Sequence, residues 1–168
     1  MEGEKKKVIS VLLTRYHSTF SDFIYYVTGK GYTHASLALD VQNEYYYSFN
    51  FKGFRKEYPK KHRRKSDKSV SYQLEISEEG YQKIVKRIEK MEEIKEEYHY
   101  SRLGVFLCLF HIPFKFKRHY FCSQFVMELL QITGEIFPQK NISLYFPNEM
   151  PELLEKQGCL YQIVCNPL

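Results

Sequence analysis

Two alternating segments, Thr33–Asp40 and Glu44–Phe51, constrain the fold of this chain more than any other feature. Alternate residues of a strand point to opposite sides of a sheet, and the three residues between these segments make a connection of β-hairpin length. The apolar side of the predicted hairpin carries Ala35, Leu37, Leu39, Tyr45, Tyr47, Phe49 and Phe51. The other side carries smaller and more polar residues, namely His34, Ser36, Ala38, Tyr46, Ser48 and Asn50. We therefore expect one face to be core and the other to hold reactive groups.

The rest of the chain predicts an α+β domain, in which short apolar runs indicate strands and apolar residues three or four positions apart indicate helices. The further strands predicted are Val8–Leu13, Ser69–Ile76 and Cys159–Val164, and the helices are Ser18–Val27, Glu78–Tyr98, Leu103–Phe110 and Phe121–Thr133. Between residues 52 and 68, nine lysines and arginines stand against two acidic residues, which predicts a solvated basic loop. A mostly antiparallel sheet with helices packed against it is expected.

Length and composition limit the class of protein. With 168 residues, 43% of them hydrophobic, the chain suits one domain over residues 1–168. Its net charge of +5 favours anionic partners. Four cysteines without a CxxC pair are typical of free thiols in a reducing compartment, and the short apolar run after the first lysines is no secretory leader, so a cytoplasmic protein is expected. The longest apolar stretch, Leu103–Phe114, is too short to span a bilayer.

Cys122 is the first candidate for chemistry because it lies in the first turn of a predicted helix. Unpaired backbone N–H groups and the helix dipole favour the thiolate there, and the thiolate is the nucleophilic form of cysteine. The same N–H groups can stabilise the oxyanion of a tetrahedral intermediate. The alternative is a structural role, since free cysteine is among the residue types most often buried in cores.

His34 is the candidate general base. It begins the first hairpin strand on the small polar face, and it would meet Cys122 if the helix of Cys122 packs over that face. A hairpin centred on residue 42 sets Asn50 directly across from His34, with Ser48 in the next pair on the same face. Either Asn50 or Ser48 can then orient the imidazole through its second nitrogen. The alternative is a structural or surface histidine.

Three short segments carry a resemblance to a known family. They are residues 32–40 (Tyr-Thr-His-Ala-Ser-Leu-Ala-Leu-Asp), residues 46–49 (Tyr-Tyr-Ser-Phe) and residues 120–126 (Tyr-Phe-Cys-Ser-Gln-Phe-Val). Together they resemble the circularly permuted branch of the NlpC-type cysteine peptidase superfamily, the YiiX-like proteins, whose relatives include lecithin retinol acyltransferase-like enzymes. In that branch the histidine strand precedes the cysteine helix. The resemblance spans about residues 8–133 in the order of its elements.

The resemblance implies a papain-like permuted domain in which Cys122 is the nucleophile and His34 the base. The third polar residue of the family would fall on Ser48 or Asn50, where relatives place an acidic residue or a histidine. The implied activity is that of an amidase or peptidase, which cleaves an amide bond through a thioacyl-enzyme. Alternatives on the same scaffold are a lipid-directed thiol acyltransferase or lipase and a catalytically inactive binding module. No cofactor or metal is expected, and the expected partner is a small anionic peptide or acyl-bearing substrate.

A different set of residues competes for the same cysteine. Cys108, His111, His119 and Cys122 are of the types that bind zinc, although the loop between them is shorter than that of a usual zinc finger. His119 is an alternative base for the thiol, but its place just ahead of the helix predicts an exposed cation. The polar loop Arg15–Ser18 could border the cleft and lend a hydroxyl to the oxyanion.

Two basic regions suggest further partners. The segment 52–68 could neutralise phosphates, but no recognition helix, RNA-binding aromatic signature or glycine-rich phosphate cradle accompanies it, so no nucleic acid is expected. Attraction of an anionic substrate to the cleft is the better use for it. The apolar stretch Leu103–Phe114, followed by Lys115, Lys117 and Arg118, resembles a segment that contacts a membrane peripherally. The alternative is a buried helix followed by a solvated turn.

Overall fold

The computed structural model describes residues 5–168, apart from the side chain of Lys65. Residues 1–4 lie outside the described part, and with them the beginning of the segment that was predicted not to be a secretory leader. The strands are β1 (Lys6–Tyr16), β2 (His34–Ala38), β3 (Tyr46–Asn50), β4 (Gly53–Glu57), β5 (Ser66–Ser77), β6 (His99–Tyr100), β7 (His119–Tyr120) and β8 (Leu160–Cys165). The helices are α1 (Thr19–Val27), α2 (Pro59–Lys65), α3 (Glu78–Glu93), α4 (Arg102–Leu109), α5 (Cys122–Gln131) and α6 (Met150–Glu155). The chain is α+β, as its sequence predicts.

Six of the strands form one sheet in the order β4-β3-β2-β1-β5-β8. Each pairing within it is antiparallel. In the predicted hairpin Leu37 pairs with Tyr47, which is the expected register and sets Asn50 opposite His34. The prediction of a mostly antiparallel sheet is therefore confirmed, and β6 and β7 add a short parallel pair outside it.

The main hydrophobic core lies on the apolar face of the sheet, where α3 and α5 cover it. The residues that meet there include Leu37, Tyr47 and Phe49 of the hairpin, Ile84, Ile88 and Met91 of α3, and Val126, Leu129 and Leu130 of α5. Phe125 of α5 packs against Phe49 and Phe54, with ring centroids 5.1 Å and 5.8 Å apart respectively. These contacts hold α5 across β2 and β3.

A partly buried ion pair joins α3 to α5. Arg87 Nε donates to Glu128 Oε1 at 2.7 Å, and Arg87 Nη2 donates to the hydroxyl oxygen of Tyr120 at 2.9 Å. The Tyr120 hydroxyl in turn donates to Glu128 Oε2 at 2.7 Å. Because Tyr120 lies just ahead of α5 and Glu128 lies within it, these bonds fix where the helix begins.

The small polar face of the sheet is covered by α2. The ring of His62 in α2 lies 5.1 Å from the ring of Tyr46 and 5.9 Å from that of His34. The sequence analysis allowed the helix of Cys122 this position, but α5 packs on the opposite face. The reason is complementarity, since the large apolar side chains of α5 match the aromatic side of the hairpin and not its serines.

The prediction of a solvated loop over residues 52–68 is wrong, because this segment contains β4, α2 and the start of β5. Gly53, with a φ of 85°, turns the chain tightly into β4, and a Cβ at this position would lie 2.1 Å from the carbonyl oxygen of Tyr98. Pro59 then occupies the first turn of α2, where its fixed φ suits a helix start. Most of the basic side chains remain exposed, while Glu57 and His62 are buried.

A smaller second core lies between α1, α4 and the start of α5. It contains Ile24, Val105, Cys108, Phe121 and Phe146. Serine side chains cap both outer helices as their sequences suggest, and each accepts a hydrogen bond from a backbone N–H of the first turn. None of the helices within residues 5–168 combines the length and the apolar character that crossing a bilayer requires.

Phe125→Ala is expected to lower the free energy of unfolding by about 3–5 kcal/mol, because it removes a fully buried ring that packs against Phe49 and Phe54. Denaturation in guanidinium chloride, followed by circular dichroism, measures this energy. Phe137→Ala is the matched control, since Phe137 is 70% exposed, and it should cost less than about 0.5 kcal/mol. Equal losses in the two variants would contradict the position of the core.

Candidate active site

Cys122 lies at the N-terminus of α5, as its sequence context predicts, and no side chain caps this end of the helix. Backbone N–H groups of Ala35 and Ser123 donate to its sulfur and favour the thiolate. Burial acts more strongly and raises the pKa of the thiol to about 11. The resting sulfur is therefore protonated at neutral pH, and its attack on a carbonyl group requires a base.

His34 begins β2 directly beside Ala35 and lines the same cavity as Cys122. The two residues predicted to form the catalytic pair are thus brought to one site. The ring of Tyr16 stacks on the imidazole, with centroids 4.5 Å apart and an angle of 13° between the planes. Tyr16 is held in place by its own backbone N–H, which donates to Thr33 Oγ1 at 2.9 Å. The stack fixes the plane in which the imidazole can act.

The cavity has a volume of about 490 Å³ and lies where the main core and the second core meet. A volume of this size suits a small-molecule ligand. Its apolar wall includes Phe20, Ile24, Phe49, Phe51, Val105, Phe121 and Phe146. Lys52, Arg55 and Lys61 also line it and supply positive charge. The cavity therefore combines a surface for an apolar group with cations that attract an anionic one.

Two buried residues that the sequence analysis did not nominate stand beside His34. Glu57 ends β4, and His62 lies in α2 with none of its surface exposed. His34, Glu57 and His62 each contribute one nitrogen or oxygen atom, and these three atoms lie within 4.8 Å of one another. Within the described part of the chain, no other group of three histidine, cysteine or acidic side chains is gathered as closely.

His62 is held neutral and in one tautomer. Burial first, and then the charges of His34 and Lys61, lower its pKa to about 3, although Glu57 acts in the opposite direction. Nε2 of His62 lies 3.5 Å from Oε2 of Glu57, so the ring proton belongs on Nε2. Nδ1 then accepts a hydrogen bond from the hydroxyl of Tyr16 at 2.5 Å, and burial raises the pKa of Tyr16 so that this hydroxyl keeps its proton.

Glu57 is the buried negative charge of the site. Burial acts to raise the pKa of its carboxyl, but His34 and the hydrogen bond from Lys61 outweigh it and the pKa is lowered overall. The ammonium of Lys61 contacts Oε1, and Asn50 Nδ2 donates to the same oxygen at 2.7 Å. An ionised carboxylate at this position can stabilise the positive charge of His34 when that imidazole takes up a proton.

Asn50 and Ser48, the two candidates for orienting His34, have different surroundings. Asn50 lines the cavity, but its side chain donates to Glu57 and accepts a hydrogen bond from the backbone N–H of Lys52 at 2.9 Å. It therefore acts on the site through Glu57. Ser48 is fully buried in the sheet, and its hydroxyl has no hydrogen-bond partner among the residues that the structure describes.

His34, Glu57 and His62 are also of the types that a divalent metal ion would use. His62 is neutral, which metal binding requires. Glu57, however, already contacts the ammonium of Lys61 and the amide of Asn50, so a second cation would compete with Lys61 for the same carboxylate. The group therefore suits proton transfer next to a thiol better than metal binding.

The alternative zinc set around Cys122 is not assembled. His111 and His119 are exposed, and Nδ1 of His119 donates to the carbonyl oxygen of Lys117 at 2.8 Å. Over residues 5–168, neither histidine joins Cys108 or Cys122 in a group of metal-ligating atoms. Cys108 instead packs in the second core, where burial raises the pKa of its thiol to about 12.

Two tyrosines decide which hydroxyl could serve the oxyanion. The loop Arg15–Ser18 contributes Tyr16 to the cavity, but the hydroxyl of Tyr16 is bonded to His62. Tyr100, which the sequence analysis did not single out, also lines the cavity, and its ring lies 4.9 Å from that of Phe51. Burial and the charge of Cys122 raise the pKa of Tyr100, so its hydroxyl remains protonated and is a hydrogen-bond donor in the same cavity as Cys122.

Comparisons of the chain with protein-family models, with curated proteins and with solved structures found no match. The chemistry of the site therefore has to be inferred from its own geometry. Sequence reasoning found Cys122 and His34 through a helix start and the parity of a strand. It missed Glu57 and His62 because the cations around them dominate the composition of that segment. Pro59, a common first residue of a helix, was the available signal.

His62→Gln is expected to make the stability of the protein less sensitive to acid. Unfolded His62 takes up a proton below pH 6.5, whereas the folded state resists this until about pH 3, so stability falls as pH falls through this window. Between pH 7 and pH 5 the variant should lose about 1–2 kcal/mol less unfolding free energy than the wild type. His119→Gln, at an exposed histidine, is the control. Denaturation curves at both pH values test this, and identical pH slopes in wild type and His62→Gln would contradict it.

Proposed function

We propose that this protein is a cysteine-dependent hydrolase that cleaves an amide bond through a thioacyl-enzyme. The proposal rests on one observation: Cys122 and His34 line the same cavity, and the buried Glu57 lies beside His34. The nucleophile stands at an uncapped helix N-terminus, the base begins the neighbouring strand, and a buried carboxylate lies beside the base. These are the three parts that covalent catalysis by a thiol requires.

In the first half of the reaction, the sulfur of Cys122 bonds to the carbonyl carbon while its proton passes to His34. The carbonyl oxygen becomes an oxyanion, which the N–H groups at the start of α5 and the hydroxyl of Tyr100 can stabilise. Glu57 stabilises the imidazolium. When the intermediate collapses, the C–N bond breaks and His34 returns the proton to the leaving amine.

In the second half, a water molecule attacks the thioester carbon and gives a proton to His34. The C–S bond then breaks, the carboxylic acid leaves, and the proton returns to the sulfur of Cys122. Because burial keeps the resting thiol protonated, the base acts at the moment of attack and no preformed ion pair is needed.

The permuted NlpC-type, papain-like scaffold belongs to the same proposal. It is supported by the chain order, in which the histidine strand precedes the cysteine helix, and by the antiparallel sheet that carries both. Relatives in that family place an acidic residue or a histidine on the strand after the histidine strand. Here that strand carries Ser48 and Asn50 instead, and the acidic residue and the second histidine beside the base come from β4 and α2. The described cysteines are all free, which supports a cytoplasmic location.

A second candidate function is hydrolysis or transfer of a lipid acyl group by the same pair of residues. The observation that favours it is the wall of the cavity, where phenylalanines from both cores surround the space in front of Cys122. Such a wall suits an acyl chain, which needs no polar group to bind it. The cations Lys52, Arg55 and Lys61 suit the anionic group of either substrate.

Cys122→Ala is expected to abolish turnover while leaving the melting temperature within a few degrees of that of the wild type, because it removes the nucleophile but little buried volume. Turnover is measured with p-nitrophenyl esters from acetate to octanoate and with the matching anilides. His34→Ala should lower the rate by about 10²- to 10⁴-fold. A preference for octanoate over acetate would favour the lipid-directed function.

Mass spectrometry of the quenched reaction should find one acyl group, located on Cys122. Cys165→Ala is the control for the thiol, since Cys165 is exposed and lies at the far edge of the sheet. Unchanged turnover in Cys122→Ala, or acylation of Cys165 in its place, would overturn the proposal. A wild-type protein that binds these esters without turnover would instead be the inactive binding module.

Glu57→Gln is expected to slow acylation of Cys122 by about 10²- to 10⁴-fold, because the amide cannot stabilise the imidazolium of His34. Ser48→Ala should change the rate by less than about threefold, since its hydroxyl makes no hydrogen bond among the described residues. The measurement is single-turnover release of p-nitrophenol, with melting temperatures as a check of folding. The opposite ranking would return the orienting role to Ser48, as the sequence alone allows.

A further inference from the structure

The helix α4 is apolar on every side, yet one of its sides has no protein against it. Its single charged residue is Arg102, at its start. Val105 and Cys108 face the second core. Leu103, Phe106 and Phe110, three and four residues apart along the other side, are each more than half exposed. A helix that is apolar all round is usually buried or in contact with lipid, so this exposed stripe requires an explanation.

The neighbouring helix α1 has a similar outer surface. Ile24 of α1 and Val105 of α4 pack in the same core, so the two helices lie side by side. Phe23 and Val27 of α1 are both 47% exposed. Both helices also line the cavity of Cys122, through Phe20, Ile24 and Val105. These exposed apolar residues therefore lie on the outer sides of the two helices that line part of the cavity.

The segment 110–118, which follows α4, continues this surface and adds charge. Phe110 and Ile112 are 62% and 49% exposed, and the exposed Lys115 and Lys117 follow within a few residues. Arg118 is neutralised by an ion pair with Glu97. No aspartate or glutamate occurs between residues 98 and 127, and within the described part of the chain neither Lys115 nor Lys117 has a carboxylate within 4 Å. The apolar surface is thus bordered by cations that no acidic group balances.

We propose that α1, α4 and segment 110–118 form a docking face for an anionic lipid bilayer. Its α4 stripe offers large apolar side chains, and lysines lie at its border. Phenyl and leucyl side chains enter the boundary between headgroups and acyl chains, while lysines bind anionic headgroups. A protein partner would need matching shape and hydrogen bonds, whereas a bilayer requires only this separation of apolar and cationic groups.

Docking in this way would hold the cavity of Cys122 near the bilayer, because the inner sides of the same two helices supply part of the cavity wall. The docking face does not depend on the proposed chemistry, since none of Leu103, Phe106, Phe110, Lys115 and Lys117 lines the cavity.

Co-sedimentation with vesicles tests the proposal, and the Cys122→Ala protein is used so that catalysis plays no part. Vesicles contain phosphatidylcholine alone or a mixture of phosphatidylcholine and phosphatidylglycerol. The protein should bind the mixed vesicles at least about tenfold more tightly than the neutral ones. Lys115→Gln with Lys117→Gln should remove most of this difference, because each lysine is expected to change the affinity for mixed vesicles roughly fivefold. Raised salt should have the same effect on the wild-type lysines, since it screens their charge.

Phe106→Ser with Phe110→Ser should abolish binding to both kinds of vesicle. Phe137→Ser is the matched control, because Phe137 is exposed but belongs neither to this face nor to the cavity, and it should bind as the parent does. Melting temperatures confirm that each variant is folded. Light scattering after gel filtration, run without lipid, measures the mass of the same proteins.

Three outcomes would overturn the proposal. The parent protein could fail to bind mixed vesicles, or bind them no better than Phe106→Ser with Phe110→Ser does. It could also form a dimer that the same double substitution separates, in which case the face is covered by a second copy of the chain. If the wild-type protein shows no turnover in solution while the Cys122→Ala protein binds mixed vesicles, the proposed hydrolase is contradicted and the docking face is not.

Discussion

The packing of α5 against the aromatic side of the β2–β3 hairpin is the interaction on which the rest of the structure depends. Phe125 lies between Phe49 and Phe54, and the helix cannot slide along the strands without leaving a cavity the size of a ring. Its first residue therefore falls beside the start of β2, where the N–H of Ala35 meets the sulfur of Cys122. A contact between phenylalanines thus decides where a thiol lies relative to an imidazole.

The ion pair between Arg87 and Glu128 supports this arrangement from the other side of α5. It joins α3 to the middle of α5. Through Tyr120 it also joins α3 to β7, the short strand just ahead of α5. Because Phe121 provides no side-chain cap, the first turn of α5 keeps its backbone N–H groups available to the sulfur and to a bound oxyanion. An ordinary cap such as serine or aspartate would occupy some of the groups that the site requires.

Glu57 and His62 show how the second face of the sheet becomes a functional surface. A buried carboxylate is costly unless it is paired and hydrogen-bonded, and Glu57 is both, through Lys61 and Asn50. The adjacent His62 stays neutral and receives the hydroxyl of Tyr16, whose ring stacks on His34. The orientation of His34 therefore depends on β1, β4 and α2 together. A change in any of these elements would alter how the imidazole of His34 is held.

The sequence predicts the parts of this site that rest on local pattern. The two-residue period of the hairpin assigns His34 to the small polar face, and the start of an apolar helical stripe assigns Cys122 to a helix terminus. Glu57 and His62 escape such reasoning because their role comes from a neighbouring strand and helix, while the local sequence is dominated by exposed lysines and arginines. The sequence also does not predict on which face of the sheet α5 packs, because that depends on which face can bury Phe125.

The same logic explains why the two cores differ. The main core is closed, since α3 and α5 cover a sheet wide enough to bury them, whereas the second core is built from two short helices, α1 and α4, with the start of α5 and Phe146. Two short helices can bury only their inner sides against each other, so their outer apolar residues remain exposed around the cavity. An apolar outer surface weakens solubility and is expected to persist only where something covers it. Its position on the helices that line the cavity of Cys122 would link that cover to the proposed chemistry of the thiol, which needs a site protected from bulk water.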